Sequence, residues 1–131
     1  MEKEEILAKI TPVFESYPEI KLVYLFGSLV SGKTGPLSDI DLAFYIDERD
    51  KKKLFELKFK LADKISRALK TDKVDVVILN LTDSPELKYN VIKEGELIFQ
   101  RDPFKVLVEP RIFNDYFDFH AILSRHNLTK A

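Results

Sequence analysis

Two aspartates that lie two residues apart, Asp39 and Asp41, are the side chains of this sequence best placed to do chemistry. They fall on a predicted strand, in which residues i and i+2 project from the same face, so the carboxylates point the same way with α-carbons about 6.5–7 Å apart. Aspartate is depleted in strands, so a pair on one face asks for an explanation. Converging carboxylates suit one or two hard divalent cations, and the alternative is a strand end with two solvated acids.

A third acid, Asp75, begins an otherwise apolar predicted strand. If that strand lies beside the strand of Asp39 and Asp41, the three side chains form a triangle of carboxylates. Like charges about 4 Å apart repel by on the order of 4 kcal/mol per pair at an effective dielectric near 20. A divalent cation relieves that repulsion, and oxygen ligands with positions left open for phosphates are typical of magnesium. Two such ions can serve the attacking and leaving oxygens of one reaction.

The pair Gly27-Ser28 lies where a predicted central strand turns into a loop. Glycine lets backbone N–H groups approach an anion closely, and the serine hydroxyl adds a donor at a possible helix N-terminus. Phosphate groups can bind to such a set of backbone N–H and hydroxyl donors. A phosphate cradle that faces metal-binding carboxylates on the next strand is typical of phosphoryl or nucleotidyl transfer.

The spacing of apolar residues and the positions of proline, glycine and helix-capping residues predict the helices and strands that position these side chains. In order they are a helix over about Lys3–Tyr17 that Pro12 kinks or restarts, strands Ile20–Phe26 and Asp39–Ile46, a long amphipathic helix capped within Asp47–Asp50, strand Val74–Leu79, a helix opened by Thr82–Pro85 and closed by Gly95, edge strand Glu96–Gln100, and a helical segment that Asp102-Pro103 starts, Pro110 interrupts and about Ser124 ends. The order α-β-β-α-β-α-β-α predicts an α/β (α+β) fold, a mixed four-stranded sheet flanked by helices.

Length and composition limit the classes of protein this chain can be. Its 131 residues predict one domain, 1–131, with a core over about 1–102 and a C-terminal helical extension over 103–131. The absence of cysteine excludes disulfides, a thiolate nucleophile and sulfur-ligated metals. The N-terminus resembles neither a signal peptide nor a membrane span, so we expect a soluble, cytoplasmic protein without membrane contact. A balance of 21 basic and 22 acidic residues disfavours direct nucleic-acid binding.

The motifs together resemble the minimal nucleotidyltransferases of the DNA polymerase β superfamily. Their signature is a Gly-Ser pair, ten residues and then Asp-x-Asp, which Gly27-Ser28, Asp39 and Asp41 match in spacing. The segments Val74–Val77 and Ile92–Ile98 are also similar to this family. In particular, the stretch from about Lys21 to Asp102 resembles the MntA-type antitoxins that are paired with HEPN-domain toxins. The resemblance implies a nucleotidyltransferase fold.

The resemblance also implies an activity, the magnesium-dependent transfer of AMP from ATP to a tyrosine hydroxyl of the partner HEPN toxin, whose ribonuclease activity is thereby blocked. Two Mg²⁺ ions and ATP as substrate follow from it. Carried over to this sequence, Gly27 and Ser28 hold the triphosphate and Asp39 and Asp41 ligate the metals. Asp75 ligates one metal and helps to deprotonate the acceptor.

One departure from the family pattern leaves a second hypothesis open. Many relatives have arginines just after the Gly-Ser pair, where this chain has Leu29 and Ser31, so that Lys33 is the nearest basic residue and the third predicted nucleotide-binding residue. The alternatives are therefore a weak or inactive transferase that masks its toxin, or a transferase for a small molecule.

The last predicted helix carries an aromatic cluster on more than one of its faces. Its members are Phe113, Tyr116, Phe117 and Phe119. Core packing is the default explanation, and an interface with the toxin or with a second copy of the chain in a homo-oligomer is the alternative.

Overall fold

The computed structural model of the chain describes residues 2–27 and 39–126. These residues form α1 (Lys3–Glu15), β1 (Ile20–Phe26), β2 (Ile40–Ile46), α2 (Lys51–Leu69), β3 (Val74–Ile78), α3 (Pro85–Glu94), β4 (Glu96–Gln100) and α4 (Phe104–Arg125), with a 3-10 turn at Leu79–Leu81 between β3 and α3. The predicted order of helices and strands is confirmed.

The four strands form one mixed sheet in the order β3-β2-β1-β4. The central strand β1 is antiparallel to β2 and to β4, whereas β2 and β3 are parallel. The parallel pair follows from α2, because a helical crossover returns the chain to the end of the sheet at which β2 began. The prediction of β4 as an edge strand is confirmed.

Alternate residues of the central strands fill two cores, one on each face of the sheet. Val23, Leu25, Leu42 and Phe44 pack with α1 and α2 on one face. On the other face the strand residues that pack with α3 and α4 are Leu22, Tyr24 and Ala43. Because neighbouring residues point to opposite faces and both faces are covered, β1 is almost entirely apolar, with Lys21 as its one charged residue.

Local side-chain caps start two of the helices where the sequence predicts them. The Asp50 carboxylate accepts a hydrogen bond from Lys52 N–H at 2.9 Å at the start of α2. The Ser84 hydroxyl accepts one from Leu87 N–H at 3.2 Å, with Pro85 at the first position of α3. These bonds satisfy N–H groups that have no partner within the helix.

Two predictions about the last helix are wrong. Pro110 does not interrupt it, since α4 runs without a break from Phe104 to Arg125. Proline in a helix interior is unfavourable by about 3 kcal/mol, but Val108 and Ile112 are buried on either side of it and their packing holds the helix together. The predicted cap at Asp102 is also absent, because no side chain caps α4.

Several predicted boundaries shift by one or two residues. Asp39 precedes β2, Leu79 belongs to the 3-10 turn after β3, and α1 ends at Glu15 rather than near Tyr17. Pro12 lies within α1, which continues past it without a restart. None of these shifts alters the order of the elements.

Helix α4 is attached to the sheet by a partly buried hydrogen bond and by an aromatic cluster. The Tyr24 hydroxyl on β1 donates to Glu109 Oε2 at 2.5 Å, and burial together with this carboxylate raises the pKa of Tyr24 far above its ordinary value. Tyr89 of α3 stacks on Tyr116 of α4 with ring centroids 3.7 Å apart. Phe117 contacts the same rings but is 58% exposed, so core packing accounts for only part of the predicted cluster.

The helices in the described part of the chain are all too short or too polar to cross a bilayer.

Candidate active site

The predicted carboxylates lie at the end of the sheet where β1 finishes and where β2 and β3 begin. Asp41 on β2 is the register partner of Phe26 on β1 and, on its other side, of Asp75 on β3. Asp39 lies two residues before Asp41, just outside β2. The pairing of β2 with β3 therefore brings together acids that are 34 positions apart in the sequence.

The same pairing places Asp41 and Asp75 on one face of the sheet. Register partners in adjacent strands project to the same side, which is also the side of Ala43 and of the core under α3 and α4. Leu42 points the other way into the larger core, as the sequence predicts, and anchors the strand. The acids sit at the rim, where Asp39 and Asp75 are exposed and Asp41 is half-buried.

The three carboxylates interact electrostatically. Burial raises the pKa of Asp41 above its ordinary value of 3.8, and the negative charges of Asp75 and then of Asp39 raise it further. Both effects disfavour the ionised form, the first by removing water and the second by repulsion. The site thus concentrates negative charge that a cation would neutralise.

The carboxylates of the described residues do not by themselves form a three-ligand metal site. Within residues 2–27 and 39–126, no group of three acidic or histidine side chains converges closely enough to hold a metal ion. The donor set still suits one, since all the candidate ligands are carboxylate oxygens and since repulsion from Asp75 and Asp39 acts on Asp41. Hard divalent cations such as Mg²⁺ prefer such ligands.

Gly27, directly after β1, lies against the Asp41 carboxylate. Its φ of +84° lies in a region that L-residues with side chains rarely adopt. A Cβ atom at this position would also overlap Oδ2 of Asp41 and lie 3.1 Å from its Cγ. Glycine is therefore required for two reasons, the backbone conformation and the close approach of the carboxylate, and the second is not visible in the sequence.

The other two predicted nucleotide-binding residues, Ser28 and Lys33, lie outside the described residues, as do Leu29 and Ser31. Their roles stay predictions.

Sequence reasoning did not predict a groove beside the carboxylates, along the outer edge of β3, that we call the β3 groove. It has a volume of about 390 Å³ and is bounded by Phe55 and Lys58 of α2, by residues 75–78 of β3 and by residues 81–83. Asp75 therefore lines both the carboxylate cluster and this groove. The sequence signal was present, because Phe55 lies off the stripe Leu54, Leu61, Ile65 and Leu69 that α2 buries.

Solved structures share this fold over nearly the whole chain. A toxin–antitoxin complex with AMP-PNP contains a chain that is 25% identical, with a TM-score of 0.73 and coverage of 95% of this chain and 94% of that one. An MntA–HepT toxin–antitoxin structure matches at 25% identity and a TM-score of 0.71, with 94% of each chain covered. A complex of tri-AMPylated Shewanella oneidensis HEPN toxin with MNT antitoxin matches at 24% identity, a TM-score of 0.71 and coverage of 93% and 92%.

No curated protein sequence matches the chain. A family model does, the one described as polymerase beta nucleotidyltransferase, and it matches residues 8–104. That range runs from within α1 through β4 and includes Asp39, Asp41 and Asp75. The chain belongs to the polymerase β nucleotidyltransferase family.

Proposed function

We propose that this protein transfers AMP from ATP to a tyrosine hydroxyl of a cognate HEPN-domain toxin and thereby acts as its antitoxin. The observation that carries the proposal is the pairing of Asp41 with Asp75 across parallel strands, under Gly27, in a chain of the nucleotidyltransferase family. The similar structures support the partner, since one is an MntA–HepT pair and another is a toxin–antitoxin complex with AMP-PNP.

The reaction needs a nucleophile, an electrophile and a way to neutralise charge. The tyrosine oxygen attacks the α-phosphorus of ATP while its proton passes to a carboxylate. The bond from that phosphorus to the oxygen bridging to the β-phosphate breaks, and pyrophosphate leaves with its electron pair. The products are the AMP ester of tyrosine and pyrophosphate, so atoms and charge balance.

Asp75 is the carboxylate best placed to take the proton. It is exposed and lies on the edge strand, where an incoming hydroxyl can reach it. Asp41 lies deeper, between β1 and β3, and with Asp39 is better suited to hold a cation against the phosphates. Bound Mg²⁺ would supply charge neutralisation at the phosphates, and Asp39, Asp41 and Asp75 are the residues that would hold it.

Gly27 has its own part in binding nucleotide. Without a side chain at this position, the backbone at the end of β1 lies directly against the Asp41 carboxylate, so phosphates bound at this turn would lie close to a residue that would hold the cation. Ser28 follows it and would add a hydroxyl donor to the triphosphate, with Lys33 as the nearest cation in the sequence. The phosphates would then lie between these donors and the carboxylates.

The direct test of the activity is incubation of the purified chain with ATP, Mg²⁺ and a HEPN-domain protein from the same genome, followed by mass spectrometry of that protein. We expect AMP on a tyrosine of the HEPN protein. The Asp41→Asn variant should lower the rate at least about 100-fold, a typical loss when a group that stabilises transition-state charge is removed. Asp118→Asn, an equally small charge change at an exposed position on α4, should leave the rate unchanged.

The outcome of the same experiment separates the alternatives. Transfer that is absent from the wild type with every divalent cation tried would contradict the proposal. Neutralisation of the toxin by Asp41→Asn at the wild-type level would favour masking without catalysis, the hypothesis that Leu29 and Ser31 motivate. Transfer to a small hydroxyl compound but not to the protein would favour the third hypothesis, a transferase for a small molecule.

Asp41→Asn should also stabilise the protein in metal-free buffer at neutral pH. Because the folded state raises the pKa of Asp41, ionising this group favours unfolding at every pH above the raised value. This unfavourable contribution is complete at pH 7, shrinks as the pH falls through the raised pKa, and disappears below the ordinary value of 3.8. Thermal unfolding in a chelator should therefore show a higher midpoint for the variant at pH 7, and the two midpoints should converge as the pH falls below 3.8.

Thermal unfolding in the presence of Mg²⁺ complements the measurement in the chelator. A ligand that binds only the folded state raises the midpoint, so Mg²⁺ with AMP-PNP should stabilise the wild type more than the variant. A variant that is less stable than the wild type in the chelator at pH 7 would show that Asp41 is not under repulsion.

Gly27→Ala should impair both folding and transfer. The positive φ alone destabilises a residue with a side chain by about 1–2 kcal/mol, and the new methyl group overlaps the Asp41 carboxylate. Urea denaturation of Gly27→Ala, Asp41→Ala and the double variant separates the two effects. Alanine at position 27 should cost less in the Asp41→Ala background, and equal costs in both backgrounds would mean that the overlap contributes nothing.

A further inference from the structure

We propose that the β3 groove binds an extended, acidic segment of the protein acceptor and positions the tyrosine of that segment next to Asp75. The inference rests on the proposed transfer to a protein hydroxyl and identifies where that protein docks. The groove and the carboxylate cluster share Asp75, so a segment lying in the groove is continuous with the site of chemistry.

The open edge of β3 accounts for the extended conformation. Among the described residues β3 pairs only with β2, and its other side borders the groove. The unpaired N–H and C=O groups of an edge strand are satisfied well by the backbone of another extended chain. A nucleic-acid strand offers no such ladder of alternating donors and acceptors.

Two exposed phenylalanines of α2, one of which lines the groove, provide apolar anchors. Phe55 and Phe59 lie one helical turn apart on α2 and are 49% and 69% exposed. Phe55 lines the groove itself. Exposed aromatic side chains beside a groove are typical of protein interfaces, in which they supply most of the buried area.

The charge of α2 favours acidic side chains on the side of the segment that faces this helix, whereas the rest of the groove lining carries two carboxylates, Asp75 and Asp83. The helix has seven basic and two acidic residues, in a chain whose net charge is −1. Lys51, Lys52 and Lys58 share the face of Phe55 and Phe59, because all lie three or four positions from one of them. Within the described residues, none of these lysines forms an ion pair. Acidic side chains next to this face would therefore be attracted to it.

The direction of α2 sets the position of the acidic residues relative to the tyrosine. Since α2 connects two parallel strands, it runs opposite to β3, and its first turns lie near Ile78 rather than near Asp75. Asp75 and Ile78 are three residues apart, which is about 10 Å along a strand. Acidic residues that meet Lys52, in the first turn of α2, are therefore at least three positions from the tyrosine, whereas Lys58 lies about 9 Å further along the helix toward Asp75.

The binding test uses fluorescein-labelled peptides of about twelve residues and needs no ATP. One peptide carries a tyrosine with glutamates three or more positions away, the second has lysines in their place, and an oligouridylate RNA of similar length is the third probe. Fluorescence anisotropy with the full chain should show binding of the acidic peptide in preference to both other probes. Phe55→Ser and Lys58→Glu should each raise its Kd about tenfold.

Lys60→Glu is the matched control, since it makes the same charge change on an exposed position of α2 that lies about 140° around the helix from Phe55. It should change Kd little. No preference for the acidic peptide, stronger binding of the RNA, or an equal effect of Lys60→Glu and Lys58→Glu would each overturn the proposal.

Transfer kinetics separate the docking proposal from the proposed activity. With a HEPN-domain protein as acceptor, Phe55→Ser and Lys58→Glu should raise KM for that protein while the affinity for AMP-PNP stays the same. Transfer with an unchanged KM in these variants would reject the groove but keep the activity. Binding of the acidic peptide in the expected pattern, without transfer to any protein, would reject the activity but keep the groove as a peptide-binding site.

Discussion

Asp41 and Asp75 face the same side of the sheet from adjacent parallel strands, with Asp39 close enough to act on Asp41 through its charge. The packing of the strands imposes this arrangement. Leu42 and Phe44 on β2, and Val23 and Leu25 on β1, must point into the core under α1 and α2. A shift of one residue in the register would expose them, so the acids are held together by the hydrophobic residues between them.

The end of β1 also fixes the position of the Asp41 carboxylate, because β1 is the other neighbour of β2. Gly27 follows Phe26, which is the register partner of Asp41, and its missing side chain leaves room for the carboxylate. The rim of the sheet thus combines a concentration of negative charge with a glycine turn that lies against it. Under the proposed function, the carboxylates would hold cations and the turn would lie beside the phosphates.

Much of this arrangement could be predicted from local patterns. The alternation of Asp39, Ile40, Asp41 and Leu42 predicts which side chains face solvent, and the β-branched run after Asp75 predicts β3. The βαβ connection through α2 then predicts that the two acidic strand ends lie near one another. The Gly-Ser spacing and the family resemblance point to nucleotides, and the family model supports that assignment.

Features that depend on tertiary packing could not be predicted. The local effect of Pro110 favours a break, but burial of Val108 and Ile112 outweighs it. The close approach of Gly27 to Asp41 depends on the pairing of β1 with β2, and the β3 groove depends on the position of β3 at the edge of the sheet. The positions of Ser28 and Lys33 lie outside the described residues, so the nucleotide-binding half of the site rests on sequence and on Gly27.

The central claim is that Asp41 sits in a repulsive cluster that a magnesium ion would relieve. The most direct test is a titration of the Asp41 carboxyl carbon by NMR, with and without Mg²⁺. In metal-free buffer the pKa of Asp41 should lie above its ordinary value of 3.8, and Mg²⁺ should lower it. An Asp41 that titrates at its ordinary value and does not respond to Mg²⁺ would contradict the claim.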